Sequence, residues 1–367
     1  MRKIRAAEPD YLLIILVFLL TLFGLVMLAS ASSDLGAIKF NDSYYYLKHQ
    51  ILYGLSLGLV GFIFAYKFYY RRWLKLAIWL LLASVALLML VFTPLGFSAG
   101  GADRWVQFGP ITFQPAEIVK FSFLVYLAAW LSSRPERSSS VSKGFLPFLI
   151  ICGLIAGLLL AQPSTTTVVL IGFSSLAIYW LSGARFSYIL GAILIAVVGL
   201  AAIIYITPYR LQRVQTFLNP SQDQTGSGYH INQALIAIGS GGLWGVGYGQ
   251  STTKFNYLPE PIGDSIFAVI AEELGFVGAS GLLFIYVLFL YKCFKLIHQT
   301  RDLFARLLVG GFASLIGLQV FINIGAISGL LPLTGVPLPF ISYGGTALAI
   351  FLTMSGVIVN ISKYERN

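Results

Sequence analysis

Charge is what this chain has least of. Acidic and basic side chains make up 10% of its 367 residues, against roughly 25% in an ordinary soluble domain, which rules out a soluble globular enzyme. Histidine and cysteine are as sparse. His49, His230 and His298 lie far apart, and Cys152 and Cys293 fall in or beside apolar runs, so neither a metal-ligand cluster nor a disulfide scaffold is expected. No stretch is long and polar enough to form a separate soluble domain, and no repeat is evident.

Apolar and aromatic residues fill the space instead, at 57% of the chain with a mean hydropathy of +0.83. Apolar runs cover 11–31, 49–68, 74–94, 115–132, 145–162, 165–182, 187–207, 265–291, 303–330 and 344–361. Each is long enough, or nearly so, to cross a hydrocarbon core of about 30 Å. The pattern predicts an all-α polytopic membrane protein, a single domain over 1–367 with about ten transmembrane helices. The first run follows Arg2, Lys3 and Arg5 but is too long for a signal peptide's apolar core, so it reads as a spanning helix.

Basic residues crowd into alternate connections: Arg2, Lys3 and Arg5; Lys67, Arg71, Arg72 and Lys75; Arg134, Arg137 and Lys143; Arg185; Lys292, Lys295, Arg301 and Arg306; Lys363 and Arg366. The other connections hold only Lys39, Lys48, Arg104, Arg210, Arg213 and Lys254. This asymmetry puts both termini in the cytoplasm and accounts for the net charge of +10 without nucleic acid. It places an outer loop at 95–114, a polar, mobile cytoplasmic linker at 133–144, and a large extracytoplasmic loop at 208–264 between the seventh and eighth helices. Clusters such as Tyr44-Tyr45-Tyr46 and Tyr179-Trp180 read as interfacial belts.

In so apolar a chain, polar residues set against the membrane are the informative ones. Three segments concentrate them. In the first, Arg104 and Trp105 precede a helix opened by Pro115, with Glu117 and Lys120 one turn apart on one face, as a structural ion pair or a cavity rim. The second runs from Tyr209 through Arg210, Arg213, His230, Gln233 and the glycine-rich 239–249 to Lys254 and Asp264. Irregular backbone at membrane depth persists only where it is buried or lines a wet cavity, so the glycine-rich part suggests a re-entrant, cavity-lining element. Asp264, beside the start of the eighth helix, is either a helix cap or a general base at the lip of a cavity. Glu272 and Glu273 lie about 12 Å further along that helix and need partners. The third pairs Gln319 with Asn323, followed by a stretch broken by Pro332, Pro337 and Pro339 and ending at Ser342, Tyr343, Gly344 and Gly345.

Together and in this order, these segments resemble the SEDS family (shape, elongation, division and sporulation), whose members include FtsW and RodA. The resemblance rests on Arg104-Trp105, Gln114-Pro-Ala-Glu117-Ile-Val-Lys120, Gln162-Pro163, Gly239 to Gly249 with Lys254, Leu258-Pro-Glu, Asp264 through Glu272-Glu273-Leu-Gly, and Leu338-Pro-Phe-Ile-Ser342-Tyr343-Gly344-Gly345. It spans essentially the whole chain. This sequence departs from the family pattern at Ser164, His230, Ile262 and Gly263.

The resemblance implies a peptidoglycan glycosyltransferase that polymerises lipid II at the outer face of the bacterial cytoplasmic membrane. Asp264 would be its base. Arg104, Arg210, Arg213 and Lys254 would offset the pyrophosphate leaving group, with Gln233 and Ser342 as further substrate contacts. It also implies a class B penicillin-binding protein as partner, together with divisome or elongasome proteins. The Asp264 to Gly275 stretch leans to the FtsW-like branch and the division septum. A divalent cation, Mg or Mn, could sit beside a pyrophosphate, but no ligand cluster is visible. The competing reading is a lipid II flippase or another transporter of polyprenyl-linked substrates, which would share the broken helices and intramembrane charges.

Overall fold

A computed structural model describes residues 7–99, 102–109, 111–219, 226–255 and 257–364. Arg2, Lys3, Arg5 and Arg366, counted above among the inner basic residues, lie outside these ranges.

Asp10 accepts from the Leu12 N–H and caps α1 (Tyr11–Ala31). After α2 (Ser33–Phe40), the second span starts as α3 (Tyr45–His49), passes through a π-helical turn (Gln50–Leu55) and continues as α4 (Ser56–Lys67). Then α5 (Arg71–Leu90) leads into an antiparallel sheet of β1 (Gly96–Ala99), β2 (Ala102–Phe108) and β3 (Ile111–Phe113), in that order. Pro115 opens α6 (Pro115–Ser132), where its missing N–H costs no bond. A 3-10 turn, Pro135–Ser139, and a π-helical turn, Val141–Phe145, follow. Next come α7 (Leu146–Ala161), α8 (Thr165–Leu181), α9 (Phe186–Ile206), α10 (Pro208–Leu218) and α11 (Ser227–Ser240). The chain ends with α12 (Ile266–Gln299), α13 (Leu303–Ile327), capped by Asp302, and α14 (Gly345–Ser362).

Among the described residues, nine helices are long and apolar enough to cross a membrane, and α8, with 17 residues, is a shorter apolar tenth. The core lies where α6, α13 and α14 meet α1 and α12. On α9, by contrast, Leu194, Val197, Val198, Tyr205 and Ile206 are exposed. So much uncovered apolar surface is what a bilayer, not water, solvates.

The two ends of the bundle differ. At one, the described chain ends meet: Ala7 N–H donates to the Lys363 carbonyl (2.8 Å) and Asp10 pairs with Lys292 (2.5 Å). At the other, Gln114 N–H donates to Thr346 Oγ1 (3.3 Å), so α6 and α14 start side by side. The sheet, α10, α11 and the broken stretch 328–344 gather at that second end.

Several expectations need correction. The stretch 95–114 is a small sheet and not a bare loop; Val106, opposite both Gly96 and Phe113, is its buried anchor. The first part of 208–264 is helical, as α10 and α11. Nor is the linker 133–144 free: Tyr179 and Tyr188 hydroxyls donate to the Ser138 (3.5 Å) and Ser139 (3.3 Å) carbonyls.

The eighth span is interrupted at Gly275, whose φ of 66° and ψ of −167° are non-helical. The break frees backbone groups that the glycine-rich stretch satisfies. Val246 and Gly247 N–H donate to the Glu272 and Glu273 carbonyls, and Phe276 and Val277 N–H donate to the Gly242 and Leu243 carbonyls, at 2.9 to 3.1 Å. So close an approach excludes side chains: a Cβ on Gly245 would stand 2.1 Å from the Glu273 carbonyl oxygen. This is how irregular backbone can sit within an apolar bundle.

Candidate active site

Asp264 ends a tight turn in which Gly263 and Ser265 N–H both donate to the Glu260 carbonyl (3.0 and 3.3 Å). Glu260 itself is left-handed, with φ 48°, a strained state that persists only where its surroundings fix it. Ser265, not Asp264, occupies the N-cap position of α12. The helix-cap reading of Asp264 therefore fails.

The broken stretch 328–344 forms the other wall. Ser342 Oγ donates to the Gly263 carbonyl (2.6 Å) and accepts from Leu338 N–H (2.8 Å), while Tyr343 N–H donates to the Ile262 carbonyl (2.9 Å). Asn323 Nδ2 donates to both the Asp264 (2.8 Å) and Val336 (2.7 Å) carbonyls. Gln319 donates to the Pro337 carbonyl (2.8 Å), Thr166 to that of Thr334 (3.2 Å), and Tyr286 to that of Pro339. Gln50, in the π-helical turn, takes Gly344 N–H (3.0 Å) and reaches the Ser342 carbonyl (3.4 Å). Side chains from four spans thus replace the helical bonds this stretch lacks.

Asp264 Oδ1 is buried with no hydrogen-bond partner. Burial pushes its carboxyl up to about 7, helped by the negative charge of Glu260, against the pull of Arg213 and nearby backbone N–H groups. His230 Nε2 lies 2.6 Å from Ser265 Oγ, which gives its own hydrogen to the Pro259 carbonyl (2.7 Å). His230 is therefore the donor, and burial together with Arg213 holds it down to about 4, a neutral ring.

Three arginines from two segments, Arg104 of β2 and Arg210 and Arg213 of α10, lie close enough to feel one another's charge. Arg104 donates to the Gln162 (3.3 Å) and Pro163 (2.6 Å) carbonyls; burial lowers its affinity for a proton, and Arg213 and Arg210 lower it further. Arg210 bonds Tyr209 Oη (3.1 Å) and Thr207 Oγ1 (3.0 Å), and Arg213 reaches the Leu333 carbonyl (3.5 Å). A buried carboxyl with one free oxygen, near Arg213 and the arginines beside it, can accept a proton next to a forming anion.

Other candidates lie elsewhere. Lys254, expected at the substrate, is instead buried: its ammonium bonds Glu273 Oε1 (2.8 Å), Ser30 Oγ (3.0 Å) and the Gly249 carbonyl (2.9 Å). Glu273 also accepts from Ser30, while Glu272 accepts from the Ser251, Thr252 and Thr253 hydroxyls and from Thr252 and Thr253 N–H. Glu117 and Lys120 form a buried pair (2.6 Å), and Lys120 continues to Gln319 Oε1 (3.0 Å). That pair anchors the residue that holds Pro337. Ser342 spends its hydrogen on the Gly263 carbonyl and accepts from Leu338 N–H, so within the frame it positions Gly263. Gln233 sits one turn along α11 from His230 and is half-buried.

Residues 10–367 match the family described as cell cycle protein, FtsW/RodA/SpoVE. The chain belongs to this family. It is 36% identical to stage V sporulation protein E of Bacillus subtilis strain 168, over 99% of both chains. It is 37% identical to the "probable peptidoglycan glycosyltransferase FtsW" of Geobacter sp. strain M18, again over 99% of both. A chain of a peptidoglycan synthase complex in which polymerization and crosslinking are coordinated matches with a TM-score of 0.81 and 29% identity, covering 98% of this chain and 99% of that one.

In this SEDS protein, sequence reasoning gave neither Glu260 nor His230 a role. The only signal for His230 was its departure from the family pattern. Among the described residues no group of three or more His, Cys, Asp or Glu gathers. Asp264 has Glu260 as its one carboxylate neighbour and Arg213 as a nearby cation, a donor set too small and too positively flanked to cage a divalent cation.

Proposed function

We propose that this SEDS protein is a peptidoglycan glycosyltransferase that polymerises lipid II, with Asp264 as general base. The observation that carries the reading is the buried, unpartnered Asp264 Oδ1, set in a rigid frame within reach of the Arg213 charge, with Arg104 and Arg210 beside Arg213. Asp264 takes the proton of the acceptor GlcNAc 4-hydroxyl as that oxygen attacks the donor's anomeric carbon. The bond to the undecaprenyl pyrophosphate breaks, the electron pair leaves with the phosphate oxygen, and the three arginines stabilise it. One displacement with inversion needs one base and anion stabilisation, not two flanking carboxyl groups.

The end that holds Asp264 faces outward, and the end where the described chain ends meet lies in the cytoplasm, an orientation that the distribution of basic residues supports. A class B penicillin-binding protein is the partner, and the likeness to a chain of a peptidoglycan synthase complex supports this. Relatives named FtsW favour work at the division septum, with divisome proteins. A flippase would need its intramembrane charges mobile, whereas Glu117, Lys120, Glu272, Glu273 and Lys254 are all held by protein partners.

Purified protein and its class B partner in liposomes with fluorescent lipid II separate the two activities. Glycan strands without transbilayer movement support the polymerase. Movement of lipid II without strands supports transport and overturns the proposal.

A further inference from the structure

The end of the bundle opposite Asp264 carries a cavity that the glycosyl transfer does not use. Its volume is about 380 Å³, and it is lined by Trp130, Arg134, Glu136, Arg137, Lys143 and Pro147. The two turns that shape it are fixed in place. Tyr179 and Tyr188 hold Ser138 and Ser139, Ser140 Oγ accepts from Lys143 N–H (3.2 Å), and a Cβ on Gly144 would strike the Arg137 carbonyl oxygen at 1.6 Å.

Three cations and one carboxylate line this space. Arg137 is oriented by a bond from Nη1 to the Trp130 carbonyl (2.5 Å), with its guanidinium 4.9 Å from the centre of the Trp130 ring. Arg134 and Lys143 are exposed, and among the described residues neither side chain has an ion pair. Unpaired cations in a concavity attract an anion with several oxygens. A second feature tells a lipid from a free anion. Pro147 shares a helix face with Ile150 and Leu154, at i+3 and i+7, and these two are 52% and 65% exposed. The cavity wall therefore continues into an apolar strip along α7.

We infer that this cavity binds the phosphate head of an anionic phospholipid, whose acyl chain lies along the Ile150 and Leu154 face of α7. Trp130 supplies the amphipathic edge favoured at the interface, and basic pockets between spanning helices suit such headgroups. In the orientation proposed above, the lipid belongs to the cytoplasmic leaflet. The glycerol hydroxyls of phosphatidylglycerol can donate to Glu136; a second phosphate would meet its repulsion.

Native mass spectrometry of the full chain tests this, with phosphatidylglycerol, phosphatidylethanolamine and inorganic phosphate as separate arms, comparing wild type with the double variant Arg134→Gln/Lys143→Gln. These positions lie outside the catalytic frame, and a melting curve verifies that the double variant is folded. The expected result is one phosphatidylglycerol retained by wild type in preference to phosphatidylethanolamine, with affinity roughly thirtyfold weaker in the double variant. Equal retention by the two proteins overturns the site. Binding of inorganic phosphate without retention of phosphatidylglycerol overturns the lipid assignment.

Discussion

Asn323 Nδ2 donates at once to the backbone carbonyl of Asp264 (2.8 Å) and to that of Val336 (2.7 Å), tying the turn that carries Asp264 to the broken stretch across from it. Asn323→Ala leaves both carbonyls without this donor. The expected cost is about 1–3 kcal/mol of stability, with polymerisation slowed on the order of tenfold by misplacement of Asp264. Melting curves and strand yield, measured at equal binding of the partner, check both.

The pH profile has a defined sign. With its carboxyl pushed up to about 7, Asp264 is protonated and inactive below that value, so the rate should fall about tenfold per pH unit below 7 and level off above it. His230, held down to about 4, stays neutral across this window and adds no second limb. The same shift acts on stability. A carboxyl whose folded value is raised stabilises the fold below its ordinary value of 3.8, and that contribution is lost as pH rises through about 7. Asp264→Asn should therefore melt above wild type at pH 8.

Lys254 and Glu273 are both fully enclosed, with side-chain exposures of 1% and 0%. Lys254→Met strands a buried carboxylate and should cost about 3–5 kcal/mol, and adding Glu273→Gln should restore much of it. Thermal melting of the single and double variants measures the recovery.

Glycines in the same region differ in how far they can be replaced. Gly275 has φ 66°, and a Cβ there would stand 2.3 Å from Gly245 N, whereas a Cβ on Gly239 meets nothing within 4 Å. Gly275→Ala should abolish folded protein, and Gly239→Ala should leave yield unchanged, as detergent-solubilised expression will show.

The spans were legible because a bilayer imposes length and hydropathy directly on sequence, and Pro115 marked the start of α6. Asp264 was legible as a carboxylate where apolar sequence begins. The sheet at 96–113 was not, because its strands are short and lack an extended alternation. Lys254 was misplaced for a different reason: a lysine in a glycine-rich loop reads as exposed, and only the break at Gly275 brings Glu273, 19 residues away, against its ammonium. The roles of Gln319 and Asn323 likewise depend on which carbonyls the prolines leave unbonded, a three-dimensional fact.

The most direct test is strand synthesis from lipid II by purified Asp264→Asn in complex with its class B partner. The side chain keeps its shape and loses only the ability to take a proton. No polymer from a variant that melts at or above the wild-type temperature and still binds its partner is the predicted result. Polymer at the wild-type rate would contradict the assignment of Asp264 as the base.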